Sequence, residues 1–206
     1  FDDGHGHCFA CELHVGQLED EAPQPHRSVV IPHRGISADT LKFFGVDVRL
    51  APNGQPAEVV FPYGSDFRIV RGWDNKVFRS EGKSDVRQLF GQDKFNSAAG
   101  RAITITEGGY DAMSVFEVLG KYPVVSVRSA STARADCERA HKYLNSFDKI
   151  YIAFDNDPSG RDAARSVAKL FDYGKVHYVR FSNRKDANEY LQAGEETELR
   201  NIWHSA

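Results

Sequence analysis

Three short apolar runs in the second half of this 206-residue chain are each followed by acids. Ala102 to Thr106 (AITIT) leads directly into Glu107, with Gly108 and Gly109 behind it and Asp111 four residues on. Helical spacing can put those two carboxylates on one side of a turn. Lys149 to Phe154 (KIYIAF) leads into Asp155 and Asp157 within FDNDPSG, and Val176 to Phe181 (VHYVRF) is followed by Lys185-Asp186-Ala187-Asn188-Glu189. Brought together without compensation, these acids would repel one another. One or two divalent cations are the simplest compensation, and all-oxygen ligands favour Mg²⁺ or Mn²⁺ over zinc. Carboxylates that hold such ions suit chemistry on phosphodiesters. Each acid taken singly is an ordinary N-cap or dipole partner ahead of a helix. Their recurrence at three strand ends is what argues for a site.

The elements that must position these acids are legible as an alternation. After Arg101, β-branched runs alternate with helical periods over Asp111 to Leu119, Ala133 to Leu144 and about Gly160 to Phe171, and two short helices close the chain. This pattern predicts an α/β fold with a parallel, doubly wound sheet, in which ligands bind outside the carboxyl ends of the strands. The preceding region reads as a smaller α+β unit. Ser37 is a candidate N-cap for a helix through Phe44, strand-like runs flank the Asn53-Gly54 turn, and a strand over Phe67 to Val70 enters a basic stretch. That stretch carries Arg68, Arg71, Lys76, Arg79 and Lys83 interleaved with Trp73 and Phe78, aromatics that can stack on bases or pack at an edge. The opening FDDGHGHCFACE is set off by a Pro-Gln-Pro linker at Pro23 to Pro25. The expected organisation is an opening segment and linker over 1–22, an α+β unit over 23–98 and the parallel-sheet unit over 99–206.

Composition narrows the classes. With 41% hydrophobic residues the chain can bury a core, and 26 Lys plus Arg against 29 Asp plus Glu give a net charge of -3, so nucleic acid would be met by a local patch. No apolar run approaches a membrane span, and three cysteines make a poor disulfide framework, so a cytoplasmic setting is expected. Cys137 has apolar neighbours and reads as core. A chain opening at Phe1 inside a motif is expected to be a fragment. Gly82-Lys83-Ser84 lacks the glycine and the strand of a P-loop, and the Asp155 run has Ser166 where an EF-hand needs Glu. An aspartyl phosphatase would use Asp-x-Asp after a strand but leaves Glu107 and Asp111 unexplained.

The pairing of ITEGGYDAMS with FDNDPSGRDAA resembles the TOPRIM signature, Glu-Gly-x-x-Asp followed by Asp-x-Asp-x-x-Gly, shared by bacterial-type primases, topoisomerases and some nucleases. The likeness covers roughly Arg101 to Leu191. Arg34-Gly35-Ile36-Ser37, the basic segment ending in Leu89-Phe90-Gly91, Tyr122-Pro123-Val124-Val125-Ser126 and Lys185-Asp186-Ala187-Asn188-Glu189 follow the order found in the primase half of phage bifunctional primase-helicases, which include the Twinkle relatives. HCFACE is similar to the last cysteine pair of that family's zinc ribbon.

The resemblance implies that Glu107, Asp155 and Asp157 bind Mg²⁺ or Mn²⁺, with Asp111 and Asp186 as supporting acids. It implies that Arg71, Lys76, Arg79 and Lys185 meet nucleotide phosphates and template. It further implies template-directed condensation of ribonucleoside triphosphates on single-stranded DNA, a fused or associated hexameric helicase, a host cytoplasm if phage-encoded, and Zn²⁺ at Cys8 and Cys11 in the intact protein. Cys8-x-x-Cys11 supplies only half of a four-ligand site. A TOPRIM nuclease using the same acids is the alternative, and a non-catalytic nucleic-acid-binding module is a third reading.

Overall fold

The structure is a computed structural model that describes residues 6–8, 13–15, 27–96, 101–120 and 122–206. A short antiparallel pair, β1 (Gly6–Cys8) and β2 (Leu13–Val15), comes first. Cys11 lies outside the described residues, as does the side chain of Cys8, so the cysteine pair has no structural description.

Ser37 caps α1 (Ala38–Phe44) as its sequence position predicts: its hydroxyl accepts the Thr40 N–H at 3.2 Å. The helix stops at Gly45, whose φ of 70° is the left-handed conformation in which glycine costs least. Around it folds an antiparallel sheet of β3 (Ser28–Val29), β4 (Asp47–Leu50), β5 (Pro56–Pro62), β6 (Phe67–Gly72) and β7 (Phe78–Gly82), paired in chain order. The strand β7, sequence FRSEG, is too polar to announce itself and is held by its partner β6.

The second sheet is parallel, as expected. It comprises β8 (Ala102–Thr106), β9 (Val124–Ser126), β10 (Lys149–Ala153) and β11 (Val176–Tyr178), in the order β11-β10-β8-β9. Its helices are α2 (Gly109–Leu119), α3 (Ala133–Arg139), α4 (His141–Leu144), α5 (Pro158–Ala168), α6 (Ala187–Gln192) and α7 (Glu196–His204). Two expectations shift. The helix expected over Ala133 to Leu144 is divided at Ala140, whose ψ of 9° departs from helical geometry. The helix expected from Gly160 begins at Pro158, because proline at the first turn has its fixed φ and needs no N–H partner there.

Strand alternation sorts the core into two layers. Ile103, Ile105, Ile150 and Ile152 pack with Cys137, Leu144, Ala164 and Val167 on the α3 to α5 side. On the other side α2 lies between the two sheets, and Tyr110, Met113 and Phe116 share one cluster with Phe44, Val59, Phe61, Tyr190 and Trp203. Each such large side chain contributes about 1.5–3 kcal/mol when fully buried. The shared cluster crosses the boundary expected near residue 98, so the two units are joined by packing as well as by chain.

Candidate active site

The chain leaves β8 for β9 on one side and then crosses back to β10 on the other, so the strand order reverses between β8 and β10. A doubly wound sheet opens its ligand crevice at that switch point. Glu107 is the first residue after β8, and Asp155 stands two residues after β10, the hydrogen-bonded neighbour of β8. The sequence signal thus corresponds to one place in the fold.

Glu107 is only partly solvated, and its pKa is pushed up to about 7. Burial is the chief cause and the negative charge of Asp155 the next, with backbone N–H groups of Asp155 and Ala130 pulling the other way. Its Oε2 is buried without a hydrogen-bond partner. A carboxylate oxygen left so is costly unless something positive completes it.

Asp155 is likewise raised, mainly by burial, while Lys185 opposes the shift. The Lys185 Nζ lies 2.9 Å from Asp155 Oδ2 and 3.1 Å from Asp157 Oδ2, one ammonium between two carboxylates. Asp157 also caps α5, its Oδ1 accepting the Gly160 N–H at 2.8 Å, and this bond is the first cause of its lowered pKa. Gly160 has no room for a side chain, since a Cβ there would stand 2.2 Å from the Asp155 carbonyl oxygen.

Asp111 faces inward from α2, where its Oδ1 accepts the Asn188 N–H at 3.1 Å. Burial first, and then the charges of Asp186 and Asp155, hold its carboxyl well above the usual range. Asp186 caps α6 through the Glu189 N–H at 2.8 Å. Asp157 and Asp186 are thus helix caps that also border the crevice. Among the described residues no three acidic or histidine side chains are drawn in to metal-ligand distance of one another. The acids frame the crevice, and Lys185 is what Asp155 and Asp157 share.

The basic segment divides. Pairing of Val70 with Arg79 and of Arg71 with Phe78 puts Arg71 and Arg79 on opposite faces of the sheet. Arg79 pairs with Glu58 and Glu81 on the outer face, where Arg49 also bonds Glu81 at 2.6 and 2.7 Å. Arg49, Glu58 and Arg79 line a cleft of about 820 Å³ with Arg27 and Asn75, and none of the crevice acids lines it. Lys76 is exposed in the turn between β6 and β7.

Arg71 turns the other way and is 8% exposed, its guanidinium 5.2 Å from the Tyr110 ring at the start of α2. Its Nε and Nη1 have no hydrogen-bond partner. Arg34 lies 5.0 Å from the same ring, so two cations flank Tyr110.

Three residues went unread as parts of a site in the sequence. His33 stacks on Trp73 at 3.8 Å and its Nδ1 lies 2.8 Å from the Tyr110 hydroxyl. Asn188, 3% exposed, donates through Nδ2 to the Arg34 carbonyl and to Ser114 Oγ, each at 3.0 Å. Arg34 has a φ of 54°, unusual for a residue with a side chain. The RGIS and KDANE motifs contain Arg34 and Asn188, but only the fold makes them neighbours.

Comparison with known proteins agrees with this geometry. A family described as Toprim-like matches residues 104–191. A protein of Enterobacteria phage T3 named DNA helicase/primase is 30% identical along the whole of this chain, which spans 41% of that relative's length. Among solved structures, the primase fragment of the bacteriophage T7 primase-helicase superposes with a TM-score of 0.77 at 30% identity, covering 98% of this chain and 91% of the fragment. Primase domains of bacteriophage T7, in a complex with DNA polymerase and bound to an RNA/DNA hybrid and dTTP, superpose with a TM-score of 0.73 at 33% identity, covering 85% of this chain and 90% of theirs. An Aquifex aeolicus primase shares the fold at 19% identity, with a TM-score of 0.63 over 84% of this chain and 53% of its own.

Proposed function

We infer how this crevice works from one premise: the chain belongs to the primase domains of the phage primase-helicase family. Its function is that of a DNA primase, an enzyme that makes RNA primers. The reaction joins ribonucleotides on a single-stranded DNA template. A primer 3′-hydroxyl loses its proton and attacks the α-phosphorus of an incoming ribonucleoside triphosphate, the α–β phosphoanhydride breaks, and pyrophosphate leaves.

Glu107, Asp155 and Asp157 would hold Mg²⁺ or Mn²⁺, with Asp111 and Asp186 beneath them as supporting acids. The observation that carries this reading is the Glu107 carboxylate, oxygen-bearing, buried and unpartnered at Oε2 beside Asp155. Such ions lower the pKa of an attacking hydroxyl and neutralise charge on a leaving phosphate. Arg71 presents two unpartnered N–H donors in a water-poor setting, which suits the triphosphate. Lys185 and Lys76 would add charge nearer the rim. Arg79, matched by two glutamates, is the member of the basic segment with least to offer a nucleotide.

The whole protein is proposed to act with a hexameric helicase. Cys8 and Cys11 alone do not fill a structural zinc site, which takes four ligands, so zinc would need a second ligand pair. No helix among the described residues is long and apolar enough to cross a membrane. The three units expected over 1–22, 23–98 and 99–206 remain the working division, the last two cooperating at Tyr110.

Incorporation of labelled ribonucleotides on single-stranded DNA, with Mg²⁺ or Mn²⁺, tests the assignment. Short oligoribonucleotides should appear with the parent and be lost with Asp155→Asn plus Asp157→Asn. Template cleavage without synthesis would replace this reading by the nuclease one.

A further inference from the structure

The crevice holds a cation of its own. Lys185 Nζ bridges Asp155 Oδ2 and Asp157 Oδ2 at 2.9 and 3.1 Å, and no other lysine or arginine forms an ion pair with either acid among the described residues. The backbone beneath it is pinned from two sides. Its N–H donates to Glu189 Oε2 at 2.8 Å and its carbonyl accepts the Asn156 N–H at 2.7 Å. That second bond ties the loop ahead of α6 to the loop that carries Asp155 and Asp157. The side chain above this anchor remains 45% exposed. A four-carbon stem on a fixed base can swing its ammonium several ångströms without disturbing the fold.

We propose that Lys185 is an exchangeable counter-cation: it holds the Asp155 and Asp157 carboxylates while no divalent ion is bound, and yields that position to the ion when one enters. This inference rests on the assignment of Asp155 and Asp157 as metal-binding acids. A divalent ion and an ammonium placed between the same two carboxylates compete for their oxygens and repel each other. Loading the crevice therefore displaces the lysine, and the released ammonium lies at the rim, within reach of the phosphates of an arriving nucleotide. Metal entry and nucleotide capture become two halves of one exchange. The lysine also keeps the metal-free crevice from leaving the Asp155 and Asp157 carboxylates unopposed.

The test is Mn²⁺ binding to the nucleotide-free protein, read from the electron paramagnetic resonance signal of free Mn²⁺. Lys185→Met keeps the stem and removes the competing charge, so it should bind Mn²⁺ about fivefold more tightly than the parent, the size expected for one partly exposed ion pair. Lys185→Gln should act in the same direction. Tighter binding is not a result that misfolding can imitate. Unchanged or weaker Mn²⁺ binding in both variants would overturn the exchange. Asp155→Asn plus Asp157→Asn separates the two ideas: loss of Mn²⁺ binding there, with unaltered binding in the lysine variants, leaves the metal site standing and removes only the role of Lys185. Retained Mn²⁺ binding in the double variant would remove the metal-site assignment itself.

Discussion

The Tyr110 hydroxyl lies 2.8 Å from His33 Nδ1, across 77 residues of sequence, and this bond joins the antiparallel sheet's approach to the first turn of α2. The same tyrosine ring is flanked by the guanidiniums of Arg34 and Arg71. A third positive charge at His33 would be unwelcome. Burial, then Arg34 and then Arg71, pull its pKa down to about 4, with Asp74 opposing.

A depressed histidine pKa means that the unfolded chain binds the proton more readily, so stability from a neutral His33 is present above about pH 6.5 and lost as pH falls towards 4. His33 is half-buried, so screening reduces the effect to about 1 kcal/mol. Urea denaturation from pH 7.5 to 4.5 should show the parent losing roughly this much more than His33→Phe, which keeps the stack on Trp73. Parallel pH profiles for the two proteins would count against the tie.

Glu107 runs in the opposite sense. Its folded-state pKa of about 7 lies above the ordinary value, so the folded chain binds the proton more readily and stability falls as pH rises from about 4.5 to 7. Glu107→Gln removes that cost. Without divalent ions the variant should melt about 2–4 °C above the parent at pH 8, equivalent to about 1 kcal/mol after screening, and no higher than the parent at pH 4.5. Primer synthesis should nonetheless fall by at least about 100-fold. A variant both more stable and inactive separates a functional carboxylate from a structural one.

Arg71 and Arg79 should part company in the same assay. Arg71→Met deletes a buried charge that forms no ion pair with a carboxylate among the described residues, so stability should be unchanged or improved while the KM for ribonucleoside triphosphate rises about 10- to 100-fold. Arg79→Met leaves Glu58 and Glu81 on an outer face. It should cost about 1 kcal/mol or less in stability and leave KM within about twofold. Steady-state kinetics beside urea melts decides it, and a reversed pattern would return Arg79 to the nucleotide path.

The sequence made the parallel sheet and its acids legible because both are local signals. A β-branched run followed by Glu107, or by Asp155 and Asp157, is visible within a dozen residues, and Ser37 announces α1 in the same way. The long-range partners were not legible. Lys185 meets Asp155 from 30 positions away, and Asn188 reaches the Arg34 carbonyl from 154 away. No periodicity encodes such meetings. The basic segment was only partly legible for a different reason: counted along the chain, Arg71 and Arg79 belong to one cluster, whereas β6 and β7 send them to opposite faces. The polar strand β7 itself was hidden, because its pairing to β6 and not its composition makes it a strand.

The cluster that unites Phe44, Val59 and Phe61 with Tyr110, Tyr190 and Trp203 has a consequence for how the chain is made. During synthesis the antiparallel sheet emerges with one side of its core still missing. The helix α2 that covers it follows soon after, but Tyr190 and Trp203 arrive 146 and 159 residues behind Phe44. Contacts of such sequence separation are slow to form, and exposed apolar surface invites association meanwhile. Until Tyr190 and Trp203 have emerged, that face of the shared core would stay partly uncovered.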